Sequence, residues 1–271
     1  MSLVLTEDLA RRIERAEIEA LESRLTAIKK IDGNPMGVEV KKFGNATAYS
    51  VKNIPGPSFN TVKGISGNDV EHVDHMIDFY NQRDIQPRFE ITPAYSSSEL
   101  FKALSDKGYT QCGFHTSLYG ELTDETILNP KLNSLITIRE IKQHEYDVFG
   151  DIYVKGFNMP SFLKEHVAKN NKVLHNNEHW TIYLATIEDK PVGIGVLFAY
   201  DGIGSLAASV THPEFRNKGV HRALVFKRLQ QAIGHNCHLV VGQAEYGSVS
   251  QNNMEKTGMK IAYTKSIWTK P

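Results

Sequence analysis

The chain has 271 residues, with 31 basic and 31 acidic side chains and a formal net charge of zero. This balance argues against a strong nonspecific attraction to nucleic acid. Hydrophobic residues make up 41% of the chain, but the longest apolar run, residues 193–200, is far shorter than the roughly 18 residues of a membrane span. We therefore expect a soluble protein of up to two domains, a monomer or homodimer, with no nucleic-acid or membrane partner.

The cysteines and the N-terminus favour the cytoplasm. Cys112 and Cys237 are too few for a disulfide framework and lack the spacing of a zinc site, so we expect no metal. The charged residues that follow Met1–Leu5 leave no long apolar segment of a secretory signal. A reducing compartment is the expected environment.

The first half of the chain alternates strands with helices. Apolar residues recur at helical spacing between Thr6 and Ile31, which predicts an N-terminal helix, capped by Thr6, within residues 1–36. A module over residues 37–121 follows it. Its predicted strands lie near 38–42, 46–51, 59–65, 87–91 and 110–119, and its predicted helices near 69–83 and 97–107.

Local residue types add detail to this module. Asp69 and Ser97 are expected to cap the N-termini of the two helices, because their side chains accept hydrogen bonds from free backbone N–H groups. Gly108 suits the C-terminal end of the second helix. The prolines of Pro55–Asn60 predict a rigid turn.

Residues 122–134 mix turn formers with charges and predict a connection. The segment 135–271 then has its own α/β order. Its predicted strands lie near 135–141, 179–187, 191–200, 203–210, 238–243 and 260–268, and its predicted helices near 143–156, 160–170, 219–233 and 248–256. Both halves end in a helix, a glycine and a strand, which favours a tandem of related modules; two unrelated α/β domains are the alternative.

The stretch from Ser205 to Val225 carries the chemistry: an apolar strand, a basic loop with one glycine, and an amphipathic helix. The free N–H groups and positive dipole end of such a helix suit a phosphate, and Gly219 lets the backbone approach it. Arg216 and Lys218 add positive charge. An ordinary solvated capping loop is the alternative, and the pattern fits neither the P-loop nor the dinucleotide-binding fingerprint.

Residues Val210-Thr-His-Pro-Glu-Phe-Arg-Asn-Lys-Gly-Val-His221 resemble the V-x-P-x-x-R-x-x-G-x-G/A signature of the GNAT acetyltransferases. The resemblance implies a GNAT fold for residues 135–271, with acetyl-coenzyme A as cosubstrate and a small-molecule or peptide amine as acceptor. It implies that the diphosphate lies on the loop and the pantetheine beside the preceding strand. The implied cofactor contacts are Val210, Arg216, Asn217, Lys218, Gly219, Val220, His221 and Ser250.

The chain departs from the family pattern at several positions. His221 stands where the family usually has Gly or Ala, and it either contacts phosphate or is a surface helix residue. Met254 stands where the family often has a tyrosine that protonates the departing thiolate, and a thioether donates no proton. Gly247 replaces an asparagine that contacts pantetheine; Ser250 or Ser248 is a substitute for it, or else a helix cap.

Acyl transfer needs an oxyanion donor, a neutral amine and a protonated leaving thiolate. A backbone N–H near Val210 is the expected oxyanion donor. Glu214 and His212 are candidate bases, with a solvated turn as the simpler interpretation. Tyr246 and Tyr263 are candidate acids, with aromatic packing as the simpler interpretation. We assign neither an acid nor a base from the sequence.

The first module lacks the phosphate-loop pattern, because residues 64–70 contain no Arg-x-x-Gly-x-Gly and Asp69 would repel a diphosphate. It resembles a degenerate GNAT module that has lost cofactor binding. The sequence thus predicts an acyl-coenzyme A-dependent N-acyltransferase. A noncatalytic acyl-coenzyme A-binding or protein-interaction module is the alternative, and an accidental resemblance would predict no coenzyme A binding.

Overall fold

A computed structural model of the protein describes residues 3–54, 57–123 and 132–271. It divides into two compact units. The N-terminal unit contains residues 5–117 and also residues 262–271; the C-terminal unit contains residues 118–261 with Leu3 and Val4. Most of the predicted connection over 122–134, and the start of the predicted turn over Pro55–Asn60, lie outside the described residues.

The N-terminal half supplies three helices and five strands among the described residues. Helix α1 spans Glu7–Lys29, β1 Val38–Phe43, β2 Ala46–Val51, β3 Thr61–Lys63, α2 Val73–Asn81, β4 Arg88–Ile91, α3 Ser98–Asp106 and β5 Thr110–Glu121. The last strand of the chain, β11, spans Lys260–Thr269. Within the N-terminal unit the strand order is β1-β2-β3-β4-β11-β5. Strand β11 pairs antiparallel with β4, so the C-terminal residues complete the sheet of the N-terminal unit.

The C-terminal unit contains the remaining elements. Strand β6 spans Ile136–Glu140, α4 Tyr146–Gly156, α5 Lys164–Lys172, β7 Trp180–Ile187, β8 Lys190–Tyr200, β9 Ile203–Thr211, α6 Val220–Gly234, β10 Leu239–Glu245 and α7 Val249–Glu255. The strand order is β5-β10-β9-β8-β7-β6. Strands β6, β7 and β8 each pair antiparallel with the next strand in the chain, and β9 pairs parallel with β10.

The mixed α/β fold expected from the sequence is confirmed. In each half, two parallel strands are connected through a helix, as β3-α2-β4 and as β9-α6-β10. A short helix and a long strand follow in both halves. This common order favours the tandem interpretation over two unrelated domains. No helix in the described part of the chain is long and apolar enough to cross a membrane.

The predicted caps are confirmed at two helices and wrong at a third. Thr6 and Ser97 accept hydrogen bonds from the N–H groups of Leu9 and Leu100. Asp69 is not an N-cap, because a 3₁₀ turn begins earlier, at Gly67, with Ser66 as its cap. Asp69 instead accepts the N–H of Ser66 at 3.0 Å, which completes a capping box.

A cluster of four charged side chains, of which Lys63, Glu90 and Lys265 are buried and Glu17 is partly buried, crosses the N-terminal unit. Lys63 of β3, Glu90 of β4 and Lys265 of β11 lie on neighbouring strands, and α1 places Glu17 beside both lysines. The Nζ atoms of Lys63 and Lys265 are each 2.6 Å from a Glu17 oxygen, and 2.6 and 2.9 Å from Glu90 Oε2. Because each cation contacts both anions, the cluster attaches α1 to the sheet.

Candidate functional site

Strands β9 and β10 separate at one end of their parallel pairing. The pairing runs from Ile203 with Leu239 to Leu206 with Gly242. Beyond that point β9 continues to Thr211 and β10 to Glu245 without further pairing to each other. The result is an opening between the strands, lined by backbone polar groups that lack a partner strand.

A β-bulge lies where this separation begins. On the other side of β9, Leu206 pairs with Leu197 of β8, but the next pair is Ser209 with Gly195. Two residues of β9, Ala207 and Ala208, therefore stand opposite the single residue Val196. A bulge bends its strand and increases the local twist, which turns the end of β9 away from β10.

The register decides which backbone groups face the opening. His212 N–H donates to the carbonyl of Val192 at 2.8 Å, and hydrogen-bonded pairs alternate along an antiparallel ladder. Val210, which pairs with Ile194, therefore directs its N–H at β8. The intervening residues Ser209 and Thr211 direct their backbone groups to the open side.

This register corrects the expectation for Val210, whose N–H does not face the opening. The N–H groups that face the opening are those of Ser209 and Thr211. Thr211 also occupies the position two residues before Pro213, where the GNAT signature has its valine. Val210 instead contributes its side chain to the core, against Gly156 of α4, where a Cβ would lie 2.1 Å from Val210 Cγ2.

The loop between β9 and α6 has the geometry of an anion site. Gly219 is the N-cap of α6 with φ of +85°, and Asn217 has φ of +63°. Ala223 N–H donates to Gly219 O, so the N–H groups that precede it in α6 make no intrahelical bond. No heavy atom lies within 4 Å of the position that a Cβ of Gly219 would take. The helix start is thus open to a ligand.

The basic side chains of the loop are exposed, but each is oriented by a contact. Arg216 donates to the carbonyl of Gly156 at 2.9 Å. Lys218 places its Nζ 4.8 Å from the centre of the Phe215 ring, and its carbonyl accepts a hydrogen bond from Asn133. Val220, the first residue of α6, is buried in the core. The loop therefore presents positive charge while its end is anchored.

His221 is a partly buried residue rather than a surface cation. Its Nδ1 lies 3.3 Å from the side-chain nitrogen of Asn253, which links the first turn of α6 to α7. Burial, together with the positive charge of Arg228, lowers the pKa of His221 to about 4. At neutral pH the imidazole is uncharged, so it offers a bound phosphate a hydrogen bond and not an ion pair.

We expect His221 to remain neutral throughout the range in which most histidines titrate. In the folded protein its ring resonances should titrate near pH 4, against about 6.5 for a histidine in a peptide. Since the folded pKa is depressed, the associated stability is present above pH 6.5 and declines as the pH falls toward 4. NMR titration of ring carbons tests this; a His221 midpoint above pH 6 would contradict it.

The opposite side of the opening carries helix α7. Ser248 is its N-cap and accepts a hydrogen bond from Gln251 N–H, which confirms the capping interpretation for that serine. Ser250 lies in the first turn of α7 and is partly buried. Gly247 has φ of +71°, a conformation that asparagine adopts less readily than glycine.

Met254 is buried in the core of the C-terminal unit. Its sulfur would lie 2.7 Å from a Cβ at Gly242, the last β10 residue paired with β9. The side chain therefore fills the space beneath the point where the strands separate. It provides packing there, but no proton.

The candidate acids and bases occupy different surroundings. His212 and Glu214 line a cavity of about 550 Å³ together with Asp147 and Asp151 of α4. The Nδ1 atom of His212 is buried and has no partner among the described residues. Tyr246 is 66% exposed. Tyr263 belongs to the N-terminal unit, where burial raises its pKa.

Comparison with known proteins agrees with this architecture. Residues 142–258 match the model of the acetyltransferase (GNAT) family. A GCN5-related N-acetyltransferase from Kribbella flavida aligns over 97% of this chain and 95% of its own, with a TM-score of 0.69 and 14% identity. One from Sphaerobacter thermophilus aligns over 100% and 95%, with a TM-score of 0.63 and 14% identity.

A tandem GNAT protein from the clavulanic acid biosynthesis pathway aligns over 95% of both chains, with a TM-score of 0.64 and 10% identity. At these identities the likeness shows the fold alone. The sequence matches none of the curated proteins with which it was compared. Residues 142–258 therefore match the GNAT family model, and the fold over nearly the whole chain is that of the GNAT structures.

Proposed function

We propose that the C-terminal unit binds acetyl-coenzyme A, or a related acyl-coenzyme A, and transfers the acyl group to a primary amine. The observation that carries this proposal is the opening between β9 and β10, which lies directly before the open helix start at Gly219. An elongated cosubstrate with a diphosphate at one place and an amide-bearing arm beyond it fits such a continuous arrangement.

In this proposal the diphosphate lies on the α6 start, where free N–H groups and the helix dipole favour negative charge. Arg216 and Lys218 add charge from the solvent side, and Asn217 and Gly219 supply the left-handed backbone that turns the loop. His221 and Ser250 flank the arm from α6 and α7. These roles extend the cofactor contacts expected from the sequence.

The thioester in turn lies at the backbone of Ser209 and Thr211. Their N–H groups are aimed at the opening by the strand register and are fixed before any substrate arrives. A fixed donor stabilises the oxyanion of the tetrahedral intermediate without reorganisation, and loss of one such donor costs on the order of 100-fold in rate in well-studied enzymes.

Proton transfer is assigned to groups other than Met254. A free thiol of the cysteine type has a solution pKa of about 8.5. Water is therefore a sufficient proton donor for the departing thiolate. The amine either enters in its neutral form or loses its proton to solvent or to a group in the cavity lined by His212 and Glu214. The acceptor is a small-molecule or peptide amine, and the loops around that cavity set its identity.

A second candidate function is acyl-coenzyme A binding without transfer. The buried Met254 favours it, because the position that carries a proton donor in the family pattern is filled by an apolar side chain that packs against Gly242. The two functions share the binding site and differ only in turnover.

We expect the protein to bind acetyl-coenzyme A and, with a suitable amine, to release free thiol. Calorimetry measures binding, and a thiol-reactive dye measures turnover across a panel of amines and peptides. Binding without thiol release throughout the panel would favour the noncatalytic function. Absence of binding to acetyl-coenzyme A and to coenzyme A would reject both.

A further inference from the structure

Arg228 is a fully buried cation without an anionic partner. It lies on α6, is 1% exposed, and has no carboxylate partner among the described residues. Burial lowers its pKa to about 9, with a small opposing influence of Tyr183. A guanidinium in such a place disfavours the folded state unless its hydrogen bonds compensate.

The hydrogen bonds of Arg228 lead to the bulge. Its Nε donates to the carbonyl of Leu224, one turn earlier in α6, at 3.0 Å. Its Nη1 donates to the carbonyl of Val196 at 3.3 Å. Val196 is the β8 residue that stands opposite Ala207 and Ala208. The guanidinium thus joins α6 to the strand position at which β9 bulges.

The carbonyl of Val196 faces β9 and not β7. Ala199 N–H donates to His179 O, so the hydrogen-bonded pairs of the β7–β8 ladder include residue 199 and, by alternation, residues 197 and 195. Val196 lies between them, and its backbone groups therefore point toward the bulge. An extra donor at this carbonyl acts where the ladder is irregular.

The sheet leaves room for this contact at Gly195. A Cβ on Gly195 would lie 3.2 Å from Arg228 Nε and 3.2 Å from a methyl of Leu224. Glycine here allows the guanidinium to approach β8 closely and reach the next residue. A larger side chain would push it away from Val196.

We propose that Arg228 is a positioning residue that fixes the β9 bulge, and thereby the direction of the Ser209 and Thr211 backbone groups. It does not touch the substrate; it acts through Val196. The proposal rests on the proposed function for its catalytic consequence, but its effect on the strand is independent of any ligand.

Replacement of Arg228 by Met tests the proposal. Methionine fills similar volume and removes a buried charge, so the melting temperature should stay within a few degrees of the wild type or rise. Hydrogen exchange of the amides of Ala207, Ala208 and Val210 should accelerate at least tenfold, whereas the amides of Ser209 and Thr211 face the opening and have no strand partner to lose. The kcat for acyl transfer should fall about tenfold or more with less than a threefold change in the KM for acetyl-coenzyme A, since the phosphate loop is intact. Arg228→Lys, which keeps a donor, should restore part of both losses.

Lys227→Met is the matched control, because Lys227 precedes Arg228 on the same helix and is partly exposed; it should change neither exchange nor kcat. If Arg228→Met does not fold, Gly195→Ala should displace the guanidinium and accelerate exchange of the same amides. Unchanged exchange at residues 207, 208 and 210, or an increase spread over the whole C-terminal unit with a lower melting temperature, would overturn the proposal. If the wild type binds no coenzyme A, the proposed function fails, while the exchange comparison still decides the role of Arg228.

Discussion

Replacement of Glu17 by Gln should lower the free energy of unfolding of the N-terminal unit by about 3–5 kcal/mol. Glu17 is one of two carboxylates that neutralise the ammonium groups of Lys63 and Lys265, which are 6% and 1% exposed. Glutamine keeps the shape but not the charge, and leaves Glu90, which also pairs with Arg88 at 3.3 Å, as the carboxylate that contacts both lysines. The expected loss of stability is large because water does not reach the buried ammonium groups to compensate for the lost carboxylate charge.

Glu19→Gln is the matched control. Glu19 lies two residues away on α1 and pairs with the exposed side chain of Arg15 at 2.9 Å. A surface pair of this kind contributes about 0–1 kcal/mol. Urea unfolding monitored by hydrogen exchange in peptides of the N-terminal unit measures both variants. Equal effects of the two substitutions would mean that the buried cluster does not hold α1 on the sheet.

Acid should act on the same cluster. Burial alone would raise the pKa of Glu17, but the attraction of Lys265 and Lys63 outweighs it and lowers that pKa to about 2. Because the folded pKa lies below the unfolded value, the stability is present above about pH 4.5 and is lost as the pH falls toward 2. Glu14, whose pKa burial raises, responds in the opposite sense and reduces the net loss.

The helices and strands of this fold follow from local chemistry. Thr6 and Ser97 act as N-caps in the structure because the signals at a helix start need only a few neighbouring residues. The wrong prediction for Asp69 also concerns only a few neighbouring residues. Its carboxylate has several free N–H groups within reach, and a cap at Ser66 leaves Asp69 in the third helical position. One sequence position does not distinguish these two arrangements.

Strand register is set by contacts distant in sequence, so the sequence predicts a candidate loop but not the strand geometry beside it. The loop from Arg216 to Gly219 was predictable because one segment contains it. The bulge depends on how β8 meets β9, and a one-residue shift reverses which backbone groups face the opening. For that reason Val210 was the expected donor, whereas Ser209 and Thr211 face the opening.

Two further features cannot be predicted from the sequence. Arg228 is a polar residue at a buried position of α6. Its hydrogen bond to the carbonyl of Val196 depends on how α6 packs against β8, which the sequence does not show. Strand β11 was predicted as the last strand of the C-terminal half, yet residues 262–271 lie in the N-terminal unit. Lys265 thereby joins the cluster of Glu17, a partner 248 residues earlier in the chain.

Replacement of Gly219 by Gln should weaken acetyl-coenzyme A binding by at least about 100-fold, or about 2.7 kcal/mol. Gly219 has φ of +85°, which costs a residue with a Cβ about 1–2 kcal/mol. The new side chain would also occupy the open space at the α6 start, where the diphosphate is proposed to lie. Calorimetry with acetyl-coenzyme A gives the dissociation constant.

Gly108→Gln separates backbone strain from obstruction of the site. Gly108 has φ of +81° and, like Gly219, no heavy atom within 4 Å of its Cβ position, but it follows α3 in the N-terminal unit. Both variants should lose similar stability in thermal unfolding, because the strain is nearly the same. Only Gly219→Gln should lose binding. Retained affinity in that variant would move the diphosphate away from the α6 start, and an equal loss in both would assign the effect to destabilisation and not to the loop.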